Sequence, residues 1–170
     1  MPKTAPRAFP QAQGGSAKQK LLFELLRART SVLAALHGLV SASGEERIGP
    51  GRWTIREIVL HLVARDRVRL RDLEIALTGR RLAWFGHDTE THARTNEQDL
   101  APLRVHDWDA ALRLLQTTRQ QLLEAIEAVP EQPALRWTIE HPFGEMLWKL
   151  PIHDRHHADQ IKRWRTERGA

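Results

Sequence analysis

The sequence predicts an all-α protein, a four-helix bundle, on three observations. Four long segments carry apolar residues at helical spacing, no segment alternates apolar and polar residues as a half-buried strand does, and Gly- or Pro-containing stretches separate the four. A length of 170 residues with 41% hydrophobic content is enough for one domain with a sizeable core, placed at residues 17–170.

The first block covers residues 17–40, with Leu21, Leu22, Leu25, Leu26, Val32, Leu33, Leu36 and Leu39 as its apolar surface. Residues 41–53 contain Gly44, Gly49, Pro50 and Gly51 and read as a turn. The second block, 54–78, opens on Thr54 and Glu57. That is the spacing of a capping box, in which each side chain satisfies a backbone donor at a helix start. Ile55, Ile58, Val59, Leu62, Leu70, Leu73 and Leu77 share its inner face, and Gly79 closes it. The third block starts at Asp107 or Asp109 as N-cap and runs to Val129, where Pro130 ends it. The fourth begins after Pro142, Phe143 and Gly144 and runs to about Arg165. Pro151 lies inside it and removes a backbone donor, so this helix is expected to kink at Leu150 and Pro151 or to restart there. There is no internal repeat.

Residues 79–106 form a long connection, of the kind that serves as lid, binding loop or crossover. Trp84, Phe85, His87, Asp88, Glu90, His92 and Asn96 lie on it; each can cap a site, with surface or packing roles as the default, and short helical turns fit its composition.

The formal charge of +5 and pI near 10.4 invite a nucleic-acid reading, but 21 acidic residues dilute it, as in Arg65-Asp66-Arg67 and Arg71-Asp72, and no nucleic-acid motif accompanies them. The expectation is no nucleic-acid partner. No stretch approaches the roughly 20 apolar residues of a membrane span. Residues 1–16 lack the apolar core of a signal peptide and are expected to be a disordered tail. The absence of cysteine excludes disulfides, thiolate ligands and a cysteine nucleophile, and a cytoplasmic location is the simplest expectation.

The chemistry concentrates in the fourth block. At about 100° per residue, Leu150, His153, His157, Ile161 and Trp164 fall on one stripe, so two imidazoles stand where a bundle helix carries leucines. A divalent ion held by both rings satisfies them, whereas two unrelated core histidines are the plain alternative. His156 lies off the stripe, with a solvated or supporting role as its default. In the second block His61 falls at the edge of the apolar face, about 60° from Ile58. There it can point into a seam between helices or pack its ring on a neighbour.

The run from Trp53 to Leu62, followed about ninety residues later by His153-Asp154-Arg155-His156-His157-Ala158-Asp159-Gln160-Ile161, resembles the DinB/YfiT-like superfamily of metal-binding four-helix bundles, and the likeness spans most of residues 21–164. The resemblance implies an up-down-down-up arrangement, in which helices two and three run parallel and the 79–106 connection is the crossover. It implies a divalent metal, zinc or nickel, on His61, His153 and His157. It also implies a small-molecule substrate, a low-molecular-weight thiol in some members, and a homodimer. Asp159 departs from the pattern, standing where a small residue is usual.

Three neutral imidazoles leave an ion its charge and an open position for water or a substrate thiolate, which fits a metal-dependent hydrolase or a thiol transferase. The alternative is a non-catalytic, stress-related scaffold. For a catalytic carboxylate the sequence offers Asp66, near the centre of the second block's apolar face, and Asp154, beside the first ligand of the fourth. A buried ion pair with an arginine from another helix is the competing reading for Asp66. Gln160 suits outer-shell hydrogen bonding.

Overall fold

The computed structural model describes residues 15–49, 51–80, 89–131 and 135–169. Among them are four long helices, α1 (Ala17–Leu36), α3 (Ile55–Leu77), α5 (Trp108–Ala128) and α6 (Pro142–Arg168), with a short α2 (Ser41–Gly44), α4 (Thr89–Leu100) and a 3-10 turn at Ala101–Leu103. The disorder expected of residues 1–16 falls almost wholly outside the described residues, as do Trp84, Phe85, His87 and Asp88. No helix among the described residues is long and apolar enough to cross a membrane.

Local chemistry sets the helix ends. Ser16 and Gln19 form a capping box at α1, and Thr54 and Glu57 form the expected one at α3. Asp107, rather than Asp109, caps α5, its carboxylate accepting from the Ala110 amide at 2.8 Å. Two boundaries differ from expectation. Helix α1 stops at Leu36 instead of reaching Val40, because Gly38 turns the chain with φ of 79°. Helix α6 starts at Pro142, with His141 as cap, because a proline in the first turn gives up an amide that has no helical partner anyway. Gly144 is required in that first turn: a Cβ there would stand 2.0 Å from the Thr138 carbonyl oxygen. Leu77, expected on the inner face of α3, is exposed at the helix end.

Helix α6 does not restart at Pro151. Leu147, Leu150 and Pro151 are all buried, so packing on both sides of the missing hydrogen bond carries the helix through.

Side-chain bonds define the topology. Arg29 pairs with Asp154 and Arg165 donates to the Ala35 carbonyl, so α1 and α6 run in the same direction. Arg56 donates to the His106 carbonyl and Arg119 pairs with Asp66, so α3 and α5 also run together. Leu73, near the end of α3, clusters with Leu21, Leu22 and Leu25 at the start of α1, which makes the two pairs antiparallel. The bundle is therefore up-down-down-up. Helix α4 and the 3-10 turn provide the crossover, running back along α3 with Asn96 bonded to Arg65 and Arg104 to Glu57.

Two apolar clusters form the core. One gathers Val32, Ile55, Ile58, Val59, Trp108, Leu115, Ile161 and Trp164; the other gathers Leu21, Leu25, Leu73, Leu122, Ile126, Met146 and Leu147. Between them lies a layer of four charges, one from each long helix: Arg29 of α1, Asp66 of α3, Arg119 of α5 and Asp154 of α6. Their side chains are 3%, 0%, 3% and 1% exposed, so the layer is sealed from water. Arg119 grips Asp66 through Nη2 and Nε at 2.7 and 3.1 Å, and Arg29 grips Asp154 through Nε and Nη2 at 3.0 and 3.3 Å. Arg29 Nη2 reaches Asp66 at 3.1 Å and Arg119 Nη2 reaches Asp154 at 3.2 Å, closing the ring. The remaining Nη1 groups donate to the Leu115 and Leu25 carbonyls. Burial opposes the Arg119 charge, but the carboxylates of Asp66 and Asp154 more than offset it and its pKa is raised.

Removing one member leaves the layer with an uncompensated buried charge. Asp66→Ala is expected to lower the unfolding free energy by about 3–5 kcal/mol, whereas Lys162→Ala, at an exposed pair, should cost less than about 1 kcal/mol. Urea unfolding followed by circular dichroism measures both; a loss at Asp66 no larger than that at Lys162 would show that the layer does not constrain the fold.

Candidate metal centre

Beside the charged layer, toward the apolar cluster of Ile58 and Ile161, α3 and α6 bring three imidazoles together. His61 Nε2 lies 3.0 Å from His153 Nε2, which lies 3.1 Å from His157 Nε2. Two nitrogens at zinc-ligand distance on a tetrahedral ion stand about 3.3 Å apart, so both contacts are within a few tenths of an ångström of a shared-ion geometry. His61 and His157 are buried and His153 is half-buried.

Two of the rings are held from behind. Trp53, just outside the α3 capping box, packs its ring 4.6 Å from that of His61. Gln160, one turn beyond His157, bonds His157 Nδ1 at 2.8 Å and His156 Nε2 at 2.9 Å. The Gln160 amide nitrogen must donate to His156, so its oxygen accepts from Nδ1–H of His157, leaving the His157 Nε2 lone pair toward the other two rings.

Burial, above all, pushes the three imidazoles toward their neutral forms. His61 sits well below the usual histidine range, with the neighbouring rings and Arg65 adding to the effect of burial. His153 is lowered to about 3 and His157 to about 4. Three neutral rings with converging Nε2 atoms repel unless something positive lies among them. A proton on His153 Nε2 can serve only one of its two neighbours. Nδ1 of His61 and Nδ1 of His153 have no hydrogen-bond partner, which leaves Nε2 as the nitrogen through which each of these rings makes its polar contact in the cluster. The donor set fits a divalent ion, and it is the one group of three or more such ligands among the described residues.

His153 and His156 also face a cavity of about 490 Å³, walled by Arg65 and Arg69 of α3 and by His92 and Asn96 of α4. A second cavity of about 330 Å³, lined by Arg52, Trp53, His157 and Gln160, reaches the triad from the other side. None of the described residues lining either cavity is a carboxylate.

Asp66 and Asp154 are both in the buried charged layer, their oxygens taken by Arg29 and Arg119, and neither lines these cavities. Of the crossover residues, His92 and Asn96 reach a cavity wall, while Glu90 is exposed. Nothing in the sequence alone singles out Trp53 as a support for the His61 ring, or Arg65 and Arg69 as cavity walls. The arginines do follow His61 at steps of four, along the same row of α3.

The sequence profile of the DinB superfamily matches residues 24–161. The chain belongs to the DinB superfamily. No curated protein sequence matches it. Three solved structures share its fold. A structure described as the sibling lethal factor precursor DfsB has a TM-score of 0.73 at 14% identity, covering 91% of this chain and 98% of that one. An uncharacterised protein from Escherichia coli UTI89 gives 0.72 at 12% identity, with coverage of 89% and 94%. YfiT from Bacillus subtilis, described as a probable metal-dependent hydrolase with an unusual four-helix bundle topology, gives 0.66 at 18% identity, with coverage of 98% and 94%.

The depressed pKa values fix a sign for stability against pH. A histidine whose folded pKa lies below its unfolded value of about 6.5 leaves the unfolded chain binding more protons, so stability is full above about pH 6.5 and falls as pH drops toward the folded pKa. In chelator, unfolding free energy is expected to decline between pH 6.5 and 4 by about 1.4 kcal/mol per pH unit for each ring kept neutral. His153→Ala should flatten that slope by about one ring's share. Equal slopes for the two proteins would contradict the burial of a neutral His153.

Proposed function

We propose that the chain is a metal-dependent enzyme acting on a small molecule, with a divalent ion held by Nε2 of His61, His153 and His157. The observation that carries this reading is the convergence of three imidazole Nε2 atoms, with one of the three rings, His153, on the wall of a cavity large enough for a small ligand. Imidazole suits zinc or nickel. Bound there, such an ion supplies Lewis acidity and makes a coordinated nucleophile, water or thiol, easier to deprotonate.

The chain's own residues have separate tasks in this reading. Trp53 and Gln160 orient His61 and His157, keeping their lone pairs on the ion. Asp66 and Asp154 position α3 and α6 instead of moving protons, because guanidinium groups already hold their oxygens. Without a carboxylate base on the described cavity walls, the nucleophile that needs least assistance is a low-molecular-weight thiol, and the reaction is its transfer to an electrophilic carbon: the C–S bond forms as the bond to a leaving group such as halide breaks, and the thiol proton passes to solvent. Hydrolysis is the second reading; it is favoured by the likeness to YfiT, described as a probable metal-dependent hydrolase, and makes His156 on the cavity wall the candidate base.

Purified protein is expected to bind about one divalent ion per chain, His153→Ala or His157→Ala to lose most of that binding, and His156→Ala to keep it. Retention of metal after all three ligands are replaced would remove the assignment. With cobalt in the site, added thiol should produce a sulfur-to-metal charge-transfer band, and turnover of a chromogenic aryl halide should require that thiol. Because the chain has no cysteine, any such band comes from the added compound. Thiol-independent ester hydrolysis that His61→Ala abolishes would instead select the hydrolytic reading.

A further inference from the structure

The 490 Å³ cavity at His153 has an asymmetric wall. Arg65 and Arg69 of α3 and Lys149 of α6 line it, joined by the neutral side chains of Asn96, Leu150 and Ile152, and no described lining residue is acidic. The cations do have neighbours: Arg65 donates to Asn96 Oδ1 at 3.3 Å and lies 3.7 Å from Asp99, Arg69 bonds Asp72, and Lys149 pairs with Glu145 at 2.6 Å. None of those carboxylates lines the cavity. The described lining therefore carries cationic side chains and no acidic one. The Arg65 and Arg69 side chains are only 16% and 6% exposed, so water screens their charge weakly.

The row His61, Arg65, Arg69 sets a length. At 1.5 Å rise per residue, the two guanidinium groups follow the metal-facing ring by about 6 and 12 Å along α3. An ion carried by three imidazoles brings two positive charges to this end of the cavity, and Arg65 follows His61 by one helical turn on the same row of α3. Placing a dication beside two arginines and a lysine is costly unless an anion lies between them.

We infer that this cavity takes a small molecule bearing an acid group, a carboxylate or a phosphate, with the acid held by Arg65 and Arg69 and the reactive end toward the histidine triad. The inference deepens the proposed metal-dependent reaction and rests on it for the orientation of the ligand, but not for the binding of the acid group. Arg65 supplies planar paired donors suited to carboxylate or phosphate, Arg69 contributes the next turn, and Lys149 adds a point charge at the rim. Neutral substrates of equal size gain none of these contacts, so charge is the discriminating property of the cavity.

The test is calorimetry on the full, zinc-loaded chain with three probes: succinate, inorganic phosphate and the uncharged succinamide. Succinate or phosphate is expected to bind and succinamide to bind at least about tenfold more weakly, with Arg65→Gln and Arg69→Gln each lowering anion affinity by about tenfold. Because arginines with so little exposure can also support folding, Ile152 supplies a second arm. It is 55% exposed and lines the same cavity, so Ile152→Glu should weaken anion binding about fivefold or more relative to Ile152→Gln, through charge alone. Equal binding of succinate and succinamide, no binding of either anion, or no difference between Ile152→Glu and Ile152→Gln would overturn the inference. Zinc uptake, read separately by competition with a chromogenic chelator, separates the two claims. A chain that takes no zinc but binds the anions through Arg65 and Arg69 keeps the anion site and loses the metal reading, and a chain that takes zinc but ignores the anions does the reverse.

Discussion

A sealed layer of two arginines and two aspartates, one from each long helix, is the interaction on which the rest of this bundle depends. Apolar packing alone tolerates a helix that slides or rotates, since one leucine can replace another against a neighbouring face. Four buried charges do not tolerate it. Displacing any helix by one residue carries its charged side chain away from its partners and leaves an unpaired ion between two hydrophobic clusters, at a cost of several kcal/mol. Arg29, Asp66, Arg119 and Asp154 therefore act as a key for register and topology, and their charges sum to zero. The layer need not make the protein more stable than an all-apolar core would; its value is that it admits one arrangement of four helices.

That register determines the geometry of the histidines. His153 directly precedes Asp154, and His61 lies five residues before Asp66, so the two carboxylates set the height and rotation of the helices that carry the rings. With α3 and α6 locked through Arg29 and Arg119, the Nε2 atoms of His61, His153 and His157 arrive at one point. Trp53 and Gln160 then fix ring orientation. The parallel placement of α3 and α5 has a further consequence. It demands a crossover that returns along the bundle, and α4 in that crossover brings Asn96 and His92 to the wall of the cavity. A connection required by topology thus helps enclose the site.

Much of this was legible in the residues. The capping box at Thr54, the N-cap at Asp107 and the apolar rows of the four blocks located the long helices to within a few residues. The stripe Leu150, His153, His157, Ile161 and Trp164 marked α6 as the helix to watch. Two boundaries were less visible, because Gly38 and Pro142 act through backbone conformation that periodicity does not register. The charged layer was harder to read for another reason. Arg29 stands in the apolar row of α1 between Leu25 and Val32, and Arg119 stands in that of α5 between Leu115 and Leu122, but each looks like an isolated exception until the four are set side by side. Asp66 and Asp154 show the ambiguity well: a buried carboxylate beside a histidine is the mark of a catalytic base and of a buried ion pair alike, and only the positions of the arginines on other helices distinguish them. The cavity belongs to the same category, since it is made by three helices whose spacing no single stretch of sequence encodes.

X-ray absorption at the zinc edge of the zinc-loaded chain tests the central claim, that the locked register brings three imidazoles to one ion and leaves room for a ligand. The spectrum is expected to show three imidazole nitrogens at about 2.0–2.1 Å with one or two further light atoms that exchange when azide is added. A shell of fewer than three imidazoles, or a closed four-residue shell indifferent to azide, would contradict it.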